Sequence, residues 1–147
     1  MKNIFGFKKF VLLVLVQIVC ALSVMAEEKT NKLTVEITKV TSDEGQIILA
    51  IYNSSDNYDN RVAFREAKLK PEVDTVTFES EVPDGEYLVM LVHDINANGK
   101  LDTNLIGMPK EPVGLSNYDG KGIPGKFKKH KFSVSEDTTV TIPLKKL

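Results

Sequence analysis

The sequence predicts an all-β protein, an antiparallel immunoglobulin-like or transthyretin-like β-sandwich of about six to seven strands preceded by a signal peptide. Three observations predict it. Short apolar runs alternate with polar residues at period two, clusters of Gly, Pro, Asn and Asp separate them, and no long stretch beyond residue 26 keeps a helical apolar period.

The N-terminus carries Lys2, Lys8 and Lys9, an apolar stretch from Phe10 to Leu22, and the small-residue site Ser23-Val24-Met25-Ala26 before Glu27-Glu28. This is the charged, apolar and cleavage-site order of a secretory signal, so residues 1–26 are expected to be removed on export to the periplasm or cell surface. Gln17 interrupts an apolar run that falls short of the roughly 20 residues a membrane span needs, and no transmembrane span is expected after cleavage. Val19 stands before Cys20 where a lipoprotein signal wants glycine, alanine or serine, which disfavours a lipid anchor.

Of 147 residues, 121 then remain, expected as a single β-sandwich domain over residues 27–147. The leader takes three lysines and no acid, so a net charge of −1 becomes −4, mildly acidic and spread along the chain. Such a balance offers nucleic acid nothing. The one cysteine leaves with the leader, so no disulfide can brace the exported fold.

Leu33, Val35 and Ile37 alternate with Thr34, Glu36 and Thr38 as a half-buried strand. Asp43-Glu44-Gly45 turns the chain into Gln46–Tyr52, apolar on both faces as a central strand is. Asn53–Asn60 reads as loop, and Arg61–Leu69, rich in helix formers, as a turn of helix or an irregular crossover before Pro71. Val76 and Phe78 alternate with Thr75, Thr77 and Glu79 in the next strand. Pro83-Asp84-Gly85 leads into Glu86–His93, the most apolar strand, expected to be central and covered on both faces. From Asp94 to Lys126 the pattern is lost, and this stretch holds six of the nine glycines and three of the six prolines. A loop of that length in a compact domain is unusual and commonly functional. Strands resume at Lys131–Val134 and Thr139–Ile142, the latter at a sheet edge because Pro143 lacks an N–H to donate.

The candidate site opens the long loop, 94–126. Asp94-Ile95-Asn96-Ala97-Asn98-Gly99-Lys100-Leu101-Asp102 follows the first nine positions of an EF-hand calcium loop. Asp94, Asn96 and Asn98 supply oxygens, Gly99 the sharp turn, Lys100 a backbone carbonyl, and Asp102 a further oxygen. Leu105 occupies the place of the closing bidentate glutamate. With two carboxylates in the segment, Glu111, Asp119 or carbonyls would have to complete a structural Ca²⁺ shell. The same residues also make Asx turns that need no ion.

His93 adjoins the loop but shares a strand face with Tyr87, Val89 and Leu91, and so reads as packed. His130, within Lys128-Lys129-His130-Lys131, reads as part of a solvated basic edge. Two histidines and no cysteine in the exported chain argue against a zinc site. Ser116 lacks the second glycine of a nucleophile elbow. Tyr118 and Phe127 are aromatic candidates for ligand contact or for the core.

Pro83-Asp84-Gly85-Glu86-Tyr87, His93-Asp94 with Asn96, Asn98-Gly99-Lys100-Leu101-Asp102-Thr103-Asn104 and Gly107-Met108-Pro109-Lys110-Glu111 through Gly114-Leu115-Ser116-Asn117 resemble the bacterial exported family DUF2141 over nearly the whole exported chain. The resemblance implies an exported β-sandwich and no particular activity. Leu115 and Pro124-Gly125-Lys126-Phe127 depart from the aromatic and Pro-Ser-Phe-like segments typical of its members.

The expected function is that of a non-catalytic exported module, binding a protein or glycan through its calcium-stabilised loop. The alternative is a small enzyme in which His93, Asp94 and Asp102 act as acid, base or metal ligands.

Overall fold

The computed structural model describes residues 29–122 and 124–147, and the leader lies outside them. Two sheets pack face to face. One is three-stranded, with β1 (Thr30–Val40) between β4 (Asp74–Pro83) and β8 (Thr138–Pro143). The other runs β3 (Arg65–Leu69), β2 (Gln46–Tyr52), β5 (Gly85–Asp94), β6 (Val113–Leu115), and β7 (Phe132–Val134) also pairs with β5. The eight strands thus form the expected sandwich, antiparallel except that β1 and β8 run parallel, with Leu33 opposite Thr138 and Ile37 opposite Ile142. Pro143 does lie on an edge strand.

The period-two pattern decides which side chains meet. Leu33, Val35 and Ile37 of β1 face Ile47, Leu49 and Ile51 of β2 and Tyr87, Val89 and Leu91 of β5, and with Val82, Val134, Ile142 and Leu144 they form the main core. Burial of each such side chain contributes about 1.5–3 kcal/mol, enough to fix which face of each strand points inward.

The second sheet is covered on its other face as well, as the doubly apolar β2 and β5 require. Ala50, Tyr52 and Leu88 join Tyr58, Leu115 and Phe127 in a smaller outer core. Tyr58 arrives on the helical turn α1 (Ser55–Asp59), whose first free N–H groups are met by the Ser54 hydroxyl accepting from Asn57 N–H at 3.2 Å. Its ring meets Tyr52 edge-on, centroids 5.3 Å apart. Phe127 arrives on α2 (Phe127–His130).

Three expectations are corrected. Arg61–Leu69 is not helical: it carries the edge strand β3, in which Ala67 and Leu69 pack on the main core while Glu66 and Lys68 face solvent. Its helix formers yield to pairing with β2, Leu69 opposite Ile47 and Ala67 opposite Leu49, because packing outweighs propensities of a few tenths of a kcal/mol. The helical turn falls instead in the Asn- and Ser-rich stretch read as loop. The long loop is not wholly irregular, since β6 lies within it and α2 follows directly on its end.

Candidate functional site

The long excursion leaves β5 at Asp94 and returns to it twice. β6 runs beside Met90–Val92, and β7 beside Gly85–Tyr87. Between them the chain leaves at Ser116 and comes back at Lys131, and its two ends are tied. Ser116 Oγ accepts from Val89 N–H at 3.1 Å and donates to the His130 carbonyl at 2.8 Å, while Asn117 Nδ2 donates to the Lys131 carbonyl at 2.8 Å. Ser116 is buried and fully committed to this join.

His130 corrects the reading of a solvated edge. The α2 turn swings its ring inward to 0 % exposure, while Lys128 and Lys129 stay outside. Nε2 accepts from Gly125 N–H at 2.9 Å and Nδ1 donates to the Asn117 carbonyl at 3.2 Å, which requires the Nδ1–H tautomer. Tyr118 packs edge-on against the ring, centroids 5.6 Å apart, and its hydroxyl donates to the Gly122 carbonyl. Phe127 is in the outer core, and Tyr118 is half-buried against it.

The nine-residue loop gathers its predicted side chains around two carboxylates. Asp94 is wholly buried: Oδ1 accepts from Asn98 N–H at 3.1 Å, and Oδ2 from Gly99 N–H and from Gln46 Nε2, both at 2.7 Å. Desolvation pushes the Asp94 carboxyl upward, but bonds from Gln46 and from the Gly99, Asn98 and Ala97 amides outweigh it and hold the group below its ordinary range. Asp102 Oδ2 accepts from Asn96 Nδ2 at 2.7 Å and Asn98 Nδ2 at 2.9 Å. The two carboxamide oxygens bond backbone, Asn96 Oδ1 accepting from Asn98 N–H and Asn98 Oδ1 from Lys100 N–H, each at 3.0 Å. Asp94, Asn96, Asn98 and Asp102 therefore form one connected cluster, with Lys100 joined through its backbone. The turn is satisfied by its own hydrogen bonds.

Glu111, expected only as one group that could complete a shell, closes the loop mechanically. Its carboxylate is buried and spans both ends of the turn, Oε1 accepting from Ile95 N–H at 3.0 Å and Oε2 from Asp102 N–H at 3.1 Å. No local pattern signals this role, since Glu111 is 16 residues from one partner and nine from the other. Asp119 is not brought here. Its side chain accepts from Lys121 N–H, and that bond first, then the charges of Lys121, Lys129 and Lys145, hold its carboxyl low. Among the described residues no group of three or more His, Cys, Asp or Glu side chains is placed to hold a metal ion.

His93 and Asp94, neighbours in sequence, lie on opposite faces of β5 because strand side chains alternate. Asp94 pairs with Gln46, whereas His93 stands opposite Ile47 at 0 % exposure. Its Nε2 donates to the Glu44 carbonyl at 3.0 Å, and Nδ1 has no hydrogen-bond partner among the described residues. The turn that supplies that carbonyl needs Gly45 at φ 73°, since a Cβ there would come within 2.1 Å of the Asp94 carbonyl oxygen.

Beyond Asp102 the chain forms a small hairpin. Lys110 N–H donates to the Asp102 carbonyl at 2.8 Å, Thr103 bridges Pro109, and Asn104 N–H donates to the Met108 carbonyl at 2.8 Å. Asn104 Oδ1 accepts from Ile106 and Met108 N–H, both at 3.0 Å, and Gly107 at φ 82° closes the apex. Between this hairpin and the 118–124 arm lies a cleft of about 600 Å³. Its floor is Met90, Val92 and Leu115 on the outer face of the sheet, its walls are Ile106, Gly107, Met108 and Pro109 on one side and Tyr118, Gly120, Gly122 and Pro124 on the other, and Tyr58 and Arg61 also line it. Arg61 stacks over the Tyr58 ring at 5.0 Å.

The family model described as an uncharacterized protein conserved in bacteria, DUF2141, matches residues 35–142. The chain belongs to this family. The match begins within β1 and ends within β8, so it takes in both sheets, the loop cluster and the cleft of this DUF2141 protein. Comparison with curated proteins and with solved structures finds no match. Among the described residues no helix is long and apolar enough to cross a membrane.

Proposed function

We propose that this DUF2141 protein is an exported, non-catalytic binding module that holds a partner in the cleft between its 103–109 hairpin and its 118–124 arm. The observation that carries this reading is the cleft itself, concave, mostly apolar and walled by an excursion whose turns are held by buried polar side chains. Such sites suit recognition, with a few polar groups setting orientation. Tyr58, Arg61 and Tyr118 on its lining are of the residue types that dominate protein–protein binding energy, which favours a protein segment over a glycan. The separation of His93 from Asp94 across β5 supports a binding role over an acid–base pair. Export rests on the leader read from residues 1–26.

The test is photo-cross-linking in the exporting cell from Met108 and Tyr118, with exposed Val73 between β3 and β4 as the control. A defined protein adduct from the two cleft positions and none from Val73 is the expected result. Adducts equally strong from Val73, or none at all, would sink the reading.

A structural calcium ion in the 94–102 turn is part of the same proposal. Its support is the ionised, buried Asp94 together with Asn96, Asn98, the Lys100 carbonyl and Asp102 in EF-hand order, with Glu111 beside them. Calcium at millimolar concentration is expected to raise the melting temperature relative to chelator, and Asp94→Ala to abolish that rise. An unchanged melt leaves the turn as hydrogen-bonded architecture alone.

A further inference from the structure

The hairpin apex carries two large aliphatic side chains in full contact with solvent, Leu105 at 106 % and Ile106 at 83 % exposure. They are not on a loose loop. Asn104 bonds the backbone of both Ile106 and Met108, the Thr103–Pro109 bridge and the Lys110–Asp102 bond close the hairpin, and Glu111 and the Pro112 carbonyl, which accepts from His93 N–H at 2.9 Å, root it on β5. A fixed turn that holds two aliphatics away from either core exposes apolar surface at a standing cost.

The charge of the segment that carries this apex is not the even spread that a net −4 suggests. Residues 27–94 carry 15 acids against seven bases, a balance of −8. Residues 95–131 carry seven lysines against three acids, a balance of +4, and one of those acids, Glu111, is buried. Lys100, Lys110, Lys121, Lys126, Lys128 and Lys129 are exposed. Lys110 sits at the base of the hairpin, and Lys121 is exposed between Gly120 and Gly122, which line the cleft as Ile106 and Met108 do.

We propose that this excursion docks the exported chain on an anionic phospholipid surface, with Leu105 and Ile106 inserted at the headgroup–acyl boundary and the surrounding lysines against the headgroups. Aliphatic insertion combined with lysine attraction is how peripheral proteins hold anionic membranes, each lysine near the surface adding roughly 1 kcal/mol. Lysine is depleted at protein–protein interfaces, which favour aromatic rings and arginine, and the apex carries neither. The inference goes beyond the cleft reading; Ile106 belongs to both, but cross-linking from Met108 and Tyr118 reports a protein partner and vesicle binding a lipid surface, so either can fail alone.

The test is co-sedimentation of the chain from Glu27 onward, which contains both cores, with vesicles of phosphatidylcholine alone or mixed with phosphatidylglycerol. Binding is expected to the mixed vesicles only, and to weaken as salt rises. Leu105→Ser with Ile106→Ser is expected to reduce it on the order of tenfold or more, and Lys110→Glu with Lys121→Glu by at least roughly fivefold. Val62→Ser and Val73→Ser, at exposed apolar positions elsewhere, should leave it unchanged. Because the protein has no tryptophan, Ile106→Trp supplies a fluorescence reporter that should shift to the blue on mixed vesicles and not on neutral ones. Absence of binding to mixed vesicles, equal binding to neutral ones, binding indifferent to the paired serine variant, or an unshifted Ile106→Trp spectrum each overturns the proposal.

Discussion

The two faces of the β3-β2-β5-β6 sheet are covered by different means. Its inner face meets β4-β1-β8 through regularly alternating aliphatics, so the cover is specified by the strands' own pattern. Its outer face lies beneath α1, α2 and the excursion, which have no such pattern and are held by buried polar side chains on backbone groups: Asp94, Glu111, Ser116 and His130. A strand needs only apolar periodicity to find its place, because neighbouring strands take up its N–H and C=O groups. An irregular segment must meet each of those groups separately.

The comparison predicts that damage to the inner face is global and damage to the outer cover local. The largest effect is expected from Leu91→Ala, which opens a cavity between the sheets and should cost about 2–5 kcal/mol of global stability by denaturant titration. A loss confined to the excursion would break the distinction between the faces. Next is Glu111→Ala, which orphans the Ile95 and Asp102 amides at about 1–3 kcal/mol each when buried. Hydrogen exchange should accelerate over residues 95–112 while β1 and β4 stay protected; uniform acceleration would make the excursion part of one cooperative unit. The smallest effect is the acid response of Asp94. Because its folded value lies below the ordinary 3.8, its contribution is fully present above about pH 4 and is lost as pH falls through the lower folded value. Hydrogen exchange of Asn98 and Gly99 should report that loss, and a turn indifferent to pH between about 5 and 2 would contradict the ionised Asp94.

The cover's dependence on distant polar partners explains which elements were legible. Strands with apolar alternation or a continuous apolar run were, since Leu33–Ile37 or Gln46–Tyr52 reads the same in isolation as in the sheet. Arg65–Leu69 was not, because an edge strand of helix formers is decided by β2 beside it. In the site, Asp94, Asn96, Asn98 and Asp102 were legible because their bonds are local, within six residues. Glu111, Gln46 and Ser116 act across nine to 48 residues and leave no local signal. His130 read as solvated because its neighbours are lysines, and only the α2 turn separates its direction from theirs.

The sequence by itself determined the all-β sandwich, the doubly covered central strands, the edge place of the last strand and the membership of the candidate loop, each resting on period, turn chemistry or short-range spacing. Tertiary structure alone decided the parallel pairing of β1 with β8, the conversion of a would-be helix into β3, the clasp of Glu111, the burial of His130 and the projection of Leu105 and Ile106. Those outcomes depend on which residues meet across long stretches of chain, and a buried N–H or an exposed methyl acquires its meaning only from what the fold brings, or fails to bring, beside it.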